Sequence, residues 1–329
     1  MDSILLSINK LKNQFSGPIM NKIFYTMFCV LLFFYITGCS DSSKPSVKTK
    51  DNSLDKQITV FVTIPPQKSI VHAIAEKYVH IKIMVPPGRE PHDYQPTPRQ
   101  MLNLYKAKAY FEIGLPFEKT LVNKFKKMNI KTKFINMRKN TKALINYVHG
   151  KTTIDPHIWL SPIQLKILCQ NTLIALIKLL PQHKNYFKHN SDVYIKKINK
   201  VYSELKVTLK PFKGKTIFVF HPAFGYFTSD FGLKQEAVEI EGKTPTPKEL
   251  FNLILKAKKT DTKVIFVEPQ FSKKSAYALA QAINGSVISI NPLSENILDN
   301  FSNIAQKIKQ SFLERNTKNF KPLMNTNEH

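Results

Sequence analysis

Three histidines carry the chemistry this chain can do. Each stands in its own proline-bearing segment: His92 in Pro91-His92-Asp93-Tyr94-Gln95-Pro96-Thr97-Pro98, His157 in Asp155-Pro156-His157-Ile158-Trp159-Leu160-Ser161-Pro162, and His221 in Phe220-His221-Pro222-Ala223-Phe224-Gly225-Tyr226-Phe227. Three imidazoles meeting at one point make a zinc site, either catalytic with an open position or a carrier of the ion itself. The prolines restrict the backbone around each histidine, and a stiff loop loses less entropy in placing a ring. His72, His80, His149, His183, His189 and His329 share no such setting and read as ordinary surface or core residues.

The elements that must position these loops alternate between two periodicities. Strands are expected at Ile58–Val62, His80–Val85, Ala109–Ile113 and Lys133–Asn136, with helices at Gln67–Lys77, Thr97–Lys106 and Pro116–Lys127 between them. A second series begins at Thr216. It has strands at Thr216–Phe220, Lys234–Glu239, Val264–Val267 and Ser286–Ile290, and helices at Pro247–Lys258, Ser272–Ile283 and Ser294–Phe312, the last two N-capped by Ser272 and Ser294. Repeated βα units imply parallel sheets covered by helices. Between the two series lies a helical block, Ser161–Leu180 and then Asn190–Lys210. In its second part Tyr194, Ile198, Val201, Leu205 and Leu209 form one apolar face, uninterrupted by Gly or Pro. The fold class is therefore α/β: two lobes, each a small parallel sheet flanked by helices, joined by one long rigid helix. The boundaries are 57–185 for the metal-binding first lobe, 186–211 for the connecting helix, 212–315 for the second lobe and 316–329 for a polar tail. Open α/β sheets bind ligands beyond the carboxyl ends of their strands, which is where His92 and His221 fall.

The N-terminal region gives an address. Ile23 to Ile36 is almost wholly apolar, preceded by Lys22 and followed by Thr37-Gly38-Cys39-Ser40, the plan of a secretory signal. The apolar run falls short of the roughly 20 residues a spanning helix needs. Met20-Asn21-Lys22 looks like the start of that signal, with Met1–Ile19 an upstream extension. Residues 40–56 read as a flexible tether. The chain has 49 basic and 23 acidic residues, a formal charge of +26. The basic residues are almost all lysine, with arginine only at 89, 99, 138 and 315, and they are spread along the chain. Nucleic-acid recognition favours clustered arginine forks, so no nucleic-acid partner is expected. Beyond Cys39 the only cysteine is Cys169, on an apolar helical face, which excludes an intramolecular disulfide and a cysteine-rich metal site there.

The three histidine segments, together with Glu241-Gly242-Lys243-Thr244-Pro245-Thr246-Pro247 and Glu268-Pro269-Gln270-Phe271-Ser272, resemble the metal-ligand motifs of the zinc/manganese solute-binding proteins of ABC importers, the ZnuA-like lipoproteins. The resemblance runs from about Ile58 to Phe312. It implies Zn(II) as transported ligand in an interlobe cleft, His92, His157 and His221 as its ligands, and delivery to an ABC permease membrane subunit. Ile36-Thr37-Gly38-Cys39 likewise resembles a lipobox, which implies a lipid anchor at Cys39 and a periplasmic or extracytoplasmic, membrane-anchored monomer. Histidine at position 221 is similar to the zinc branch; manganese members tend to have glutamate there. Imidazole suits zinc and carboxylate oxygen suits manganese. Two features depart from the family. Asn291-Pro292-Leu293 stands where many members have a ligating aspartate, which leaves the fourth position to Glu295, to Asn291 itself or to water, with Glu241 and Glu268 also available. Arg138–Thr153 is short and holds only His149, so no histidine-rich gathering loop is present.

Alternatives remain at this level: a manganese- or iron-binding homologue, or a zinc-dependent hydrolase using three histidines and a bound water. A hydrolase would need Glu241 or Glu268 as general base, and the sequence contains no HExxH. No enzymatic activity is expected.

Overall fold

The computed structural model describes residues 57–313 apart from 129, 149–150, 240–244 and 272. The signal segment, Cys39, the tether, Glu241 and the polar tail lie outside the described residues. No described helix is long and apolar enough to cross a membrane.

The first sheet is built from β1 (Ile58–Val62), β2 (Val79–Ile83), β3 (Ala109–Glu112) and β4 (Lys133–Asn136), with helices α1 (Pro65–Ala75), α2 (Pro98–Tyr105) and α3 (Pro116–Lys127) in the crossovers. A short antiparallel hairpin follows, β5 (Ile145–Val148) and β6 (Lys151–Ile154), then α4 (Pro162–Leu179) and α5 (Lys184–Leu209). The second sheet takes β7 (Thr216–Val219), β8 (Lys234–Ala237), β9 (Val264–Val267) and β10 (Ser286–Ser289), with α6 (Gly225–Phe231), α7 (Pro247–Lys259), α8 (Lys274–Ala282) and α9 (Ile297–Leu313). Both four-stranded sheets are parallel, in the orders β2-β1-β3-β4 and β10-β9-β7-β8. The two orders are one topology: in each lobe the second strand lies outside the first, followed by the third and fourth. The order reverses beside the first strand, and a crevice opens there at the carboxyl ends.

Proline sets several helix starts. Pro65, Pro98, Pro116, Pro162 and Pro247 each open a helix, where the missing N–H is no loss and φ is already helical. Thr97 and Thr246 cap α2 and α7 in reciprocal boxes with Gln100 and Glu249, and Ser161 caps α4 by accepting from Gln164 N. The histidine loops therefore end at fixed points. The expected cap at Ser294 fails. The last helix begins at Ile297, three positions past Ser294, and α8 begins after Lys273; Ser272 is not among the described residues.

Strand residues alternate between two packed faces. Val60, Val62, Ala109, Phe111, Ile217 and Val219 enter one central core, while Phe61 and Tyr110 enter a core on the outer face of the first sheet, and Phe218 and Phe220 one on the outer face of the second. The central core is shared by both lobes and includes Trp159, Leu209, Phe227 and Phe301, all fully or almost fully buried. Helix α5 packs on α1 and α4 of the first lobe and on α9 of the second, so it joins the lobes along its length. Both sheets belong to one compact unit.

Candidate metal site

Two of the histidine loops are built in the same way. In Glu90-Pro91-His92, Glu90 Oε1 accepts from the His92 backbone N–H at 2.9 Å and from its ring Nδ1 at 2.5 Å. In Asp155-Pro156-His157, Asp155 Oδ1 accepts from the backbone N–H and from Nδ1, both at 2.8 Å. An acid two residues upstream thus grips backbone and ring together, while the proline holds the turn. His221 leaves the end of β7 and takes its supports from neighbouring strands. Its Nδ1 lies 2.6 Å from Glu239 Oε1, its backbone N–H donates to Glu268 Oε2 at 3.2 Å, and its ring stacks on Phe271.

A carboxylate can only accept, so each Nδ1 carries the proton and each Nε2 presents a lone pair. The three rings form a near-equilateral triangle, with centroids 5.0, 4.9 and 5.0 Å apart. One ligand atom from each lies within 4.8 Å of the others, and the His157 and His221 Nε2 atoms are 3.0 Å apart. Tetrahedral zinc with Zn–N near 2.0–2.1 Å needs nitrogen separations of roughly 3.3 Å. Two lone pairs aimed at each other across 3.0 Å repel, and a cation between them removes the repulsion. His157 is 5% exposed and burial pulls its pKa down to about 4, so it is neutral and able to ligate at neutral pH. Burial works to raise the pKa of Glu90, but the ring and backbone hydrogen bonds from His92, with the nearby His92 and His221 charges, hold it below the usual range. Burial, reinforced by the Glu239 and Glu90 charges, drives Glu268 well above its ordinary value. Glu90, Asp155 and Glu239 thus accept from the three ring Nδ1–H groups, which turns each Nε2 towards a shared cation position.

The structure brings His92, His157 and His221 together. It does not bring Glu295 to them: its carboxylate forms an exposed ion pair with Lys68 of α1 at 2.7 Å. Closeness in sequence to Asn291 does not make Glu295 part of the histidine group, because a lysine captures the acid. Asn291 Oδ1 is likewise occupied, accepting from Leu293 N at 2.9 Å and from Gln270 Nε2 at 3.4 Å. The carboxylates on the three Nδ1 atoms had no assigned role in the sequence reading. The repeated acid-Pro-His spacing is the signal for Glu90 and Asp155; Glu239, 18 residues from its histidine, leaves none.

Residues 60–314 match the family described as "Zinc-uptake complex component A periplasmic". The chain belongs to this family. It is similar to the high-affinity zinc uptake system protein ZnuA of Bacillus subtilis, with 28% identity over 277 residues, 79% of this chain and 85% of that protein. It is 30% identical over 264 residues to a metal ABC transporter substrate-binding lipoprotein of Lactococcus lactis, covering 75% of this chain and 80% of the other. Among solved structures, a zinc-bound deletion mutant of ZnuA superimposes with a TM-score of 0.73 at 33% identity, covering 78% of this chain and 98% of that one. The expected two-lobed architecture is thus the architecture of the zinc-uptake family, a family of binding proteins.

Proposed function

We propose that the chain is the solute-binding component of a zinc ABC importer, which captures Zn(II) between its lobes through His92, His157 and His221 and passes it to a membrane permease. The observation that carries this reading is the set of three Nδ1-to-carboxylate hydrogen bonds. They lock every ring in the tautomer whose Nε2 faces the common point, the arrangement by which outer carboxylates orient zinc-binding histidines. The relatives named for zinc uptake, and the zinc-bound ZnuA structure, support the choice of ion. Manganese and iron(II) are the weaker readings, because the nearby carboxylates are engaged by imidazole N–H groups and the converging donors are nitrogens. Metal analysis of purified protein, followed by zinc–manganese competition, tests the assignment. Zinc should win by orders of magnitude, and manganese binding equally well would overturn it.

The protein works outside the cytoplasm, as a monomer tethered by lipid on Cys39. The lactococcal relative is named a lipoprotein, and Cys39 ends the lipobox-like segment. Cys39→Ser should move the protein from the membrane fraction to the soluble extracytoplasmic fraction. Unchanged fractionation, with no lipid adduct on the wild type by mass spectrometry, would remove the anchor from this reading.

A further inference from the structure

Among the described residues, three buried side-chain oxygens have no hydrogen-bond partner: Asp155 Oδ2, Glu268 Oε1 and Gln270 Oε1. Asp155 and Glu268 already support a site histidine through their other oxygen. Gln270 supports none, and a buried acceptor left unsatisfied costs about 1–3 kcal/mol, so it calls for a partner. Gln270 lines a polar cavity of about 420 Å³ together with Arg89, Glu90 and Asp93. Glu90 is the acid that holds His92, whose side chain is the most exposed of the three rings at 29%. The neighbour of Gln270 in sequence, Phe271, stacks on His221. Gln270 therefore sits in a wall that runs from the His92 rim to the His221 support.

The orientation of its amide follows from Asn291. Asn291 Oδ1 receives the backbone N–H of Leu293 at 2.9 Å, which identifies that atom as oxygen. A Gln270 oxygen turned towards it would repel, so Nε2 faces Asn291 at 3.4 Å and Oε1 faces away. Three imidazoles leave the fourth zinc position open, and Glu295 and Asn291 are both committed elsewhere. With a water in that position, the metal-bound water is a strong donor in need of an acceptor.

We propose that Gln270 is a positioning residue: its Oε1 accepts a hydrogen bond from the water that completes the coordination of the carried metal. The inference rests on the zinc-carrier reading above and adds a residue to it. A neutral amide holds the water without adding charge to a site already ringed by acids.

The test uses the mature chain and three forms: wild type, Gln270→Leu and Gln270→Glu. Gln270→Leu removes the acceptor and should weaken zinc binding about 10–100-fold, the usual effect of losing an outer hydrogen bond in a metal site. Gln270→Glu keeps an acceptor but loses the donor to Asn291, and should bind within a few-fold of wild type. If the Asn291 contact were the whole role of Gln270, the glutamate form would fall as far as the leucine form, which overturns the proposal. The visible spectrum of the Co(II)-loaded wild type should shift on addition of azide, because a water is present to be displaced; no shift overturns the proposal even if the leucine variant does not fold. A wild type that takes up neither Zn(II) nor Co(II) overturns the carrier reading itself. A wild type that loads normally while both variants match it overturns the role of Gln270 alone.

Discussion

Replacing Glu239 with glutamine tests the logic of the site at a support that is almost fully buried. The Glu239 side chain is 3% exposed and its Oε1 lies 2.6 Å from His221 Nδ1. Glutamine keeps the length and an acceptor oxygen but removes the charge. A hydrogen bond to a charged partner contributes about 1.5–3 kcal/mol and a neutral one about 1 kcal/mol, so the change weakens the support by roughly 1–2 kcal/mol. If that difference passes wholly into metal binding, the zinc dissociation constant rises about 5–30-fold, at 1.4 kcal/mol per decade. Glu90→Gln changes the same contact on His92, where both side chains are about a quarter exposed, and solvent screening makes its effect smaller. Titration of each variant against a chromophoric zinc chelator at neutral pH reads both numbers. Unchanged affinity in Glu239→Gln, or a larger loss in Glu90→Gln, would refute the claim that buried charge fixes the tautomer and with it the affinity.

Three other outcomes follow from the same structure. His157→Ala and His221→Ala should abolish tight zinc binding, whereas Glu295→Ala should leave it unchanged, since that acid pairs with Lys68; the same chelator competition ranks them. Glu112, at the end of β3, has its pKa raised to about 7 by burial and by the buried Glu118 carboxylate. A folded pKa above the unfolded value gives stability that is present in full below about pH 4.5 and lost as pH rises through 7. Glu112→Gln should therefore raise the melting temperature more at pH 8 than at pH 5, and the reverse order would contradict the assignment. Trp159 donates from Nε1 to Pro292 O at 2.8 Å inside the shared core. Trp159→Phe should lower stability by about 1–3 kcal/mol, read by urea unfolding of the metal-free protein, because the carbonyl loses its buried partner.

Much of this was legible in the chain because local rules and global packing agree. β4 and β9 match their expected ends because short apolar runs bounded by turns leave little choice. The connecting helix was read from Asn190 onwards, but it begins at Lys184, since Phe187 is the only fully buried residue in its first turns and sets up no periodic pattern. The β5–β6 hairpin and the short helix α6 leave no such signal: Ile145–Val148 and Lys151–Ile154 are interrupted by polar residues, and a seven-residue helix is too short for a 3.6-residue repeat to declare itself. At the site, the three histidines were readable from their proline settings. The acid on His221 arrives from another strand end, and no local pattern encodes a contact made only by sheet order.

The core shared by the two sheets governs how cargo can leave. Swinging the lobes apart would pull Trp159 out of apolar surroundings and break its bond to Pro292 O, and it would separate Ser161 from Asp230 on α6. Exposing a tryptophan's 150–250 Å² alone costs about 4–6 kcal/mol. Local motion of the His92 loop breaks far less. That loop carries the least buried of the three rings and borders the polar cavity. Opening at this loop therefore costs less than parting the lobes, and on the importer reading a membrane partner acting on residues 86–97 would unload the ion while the rest of the molecule stays closed.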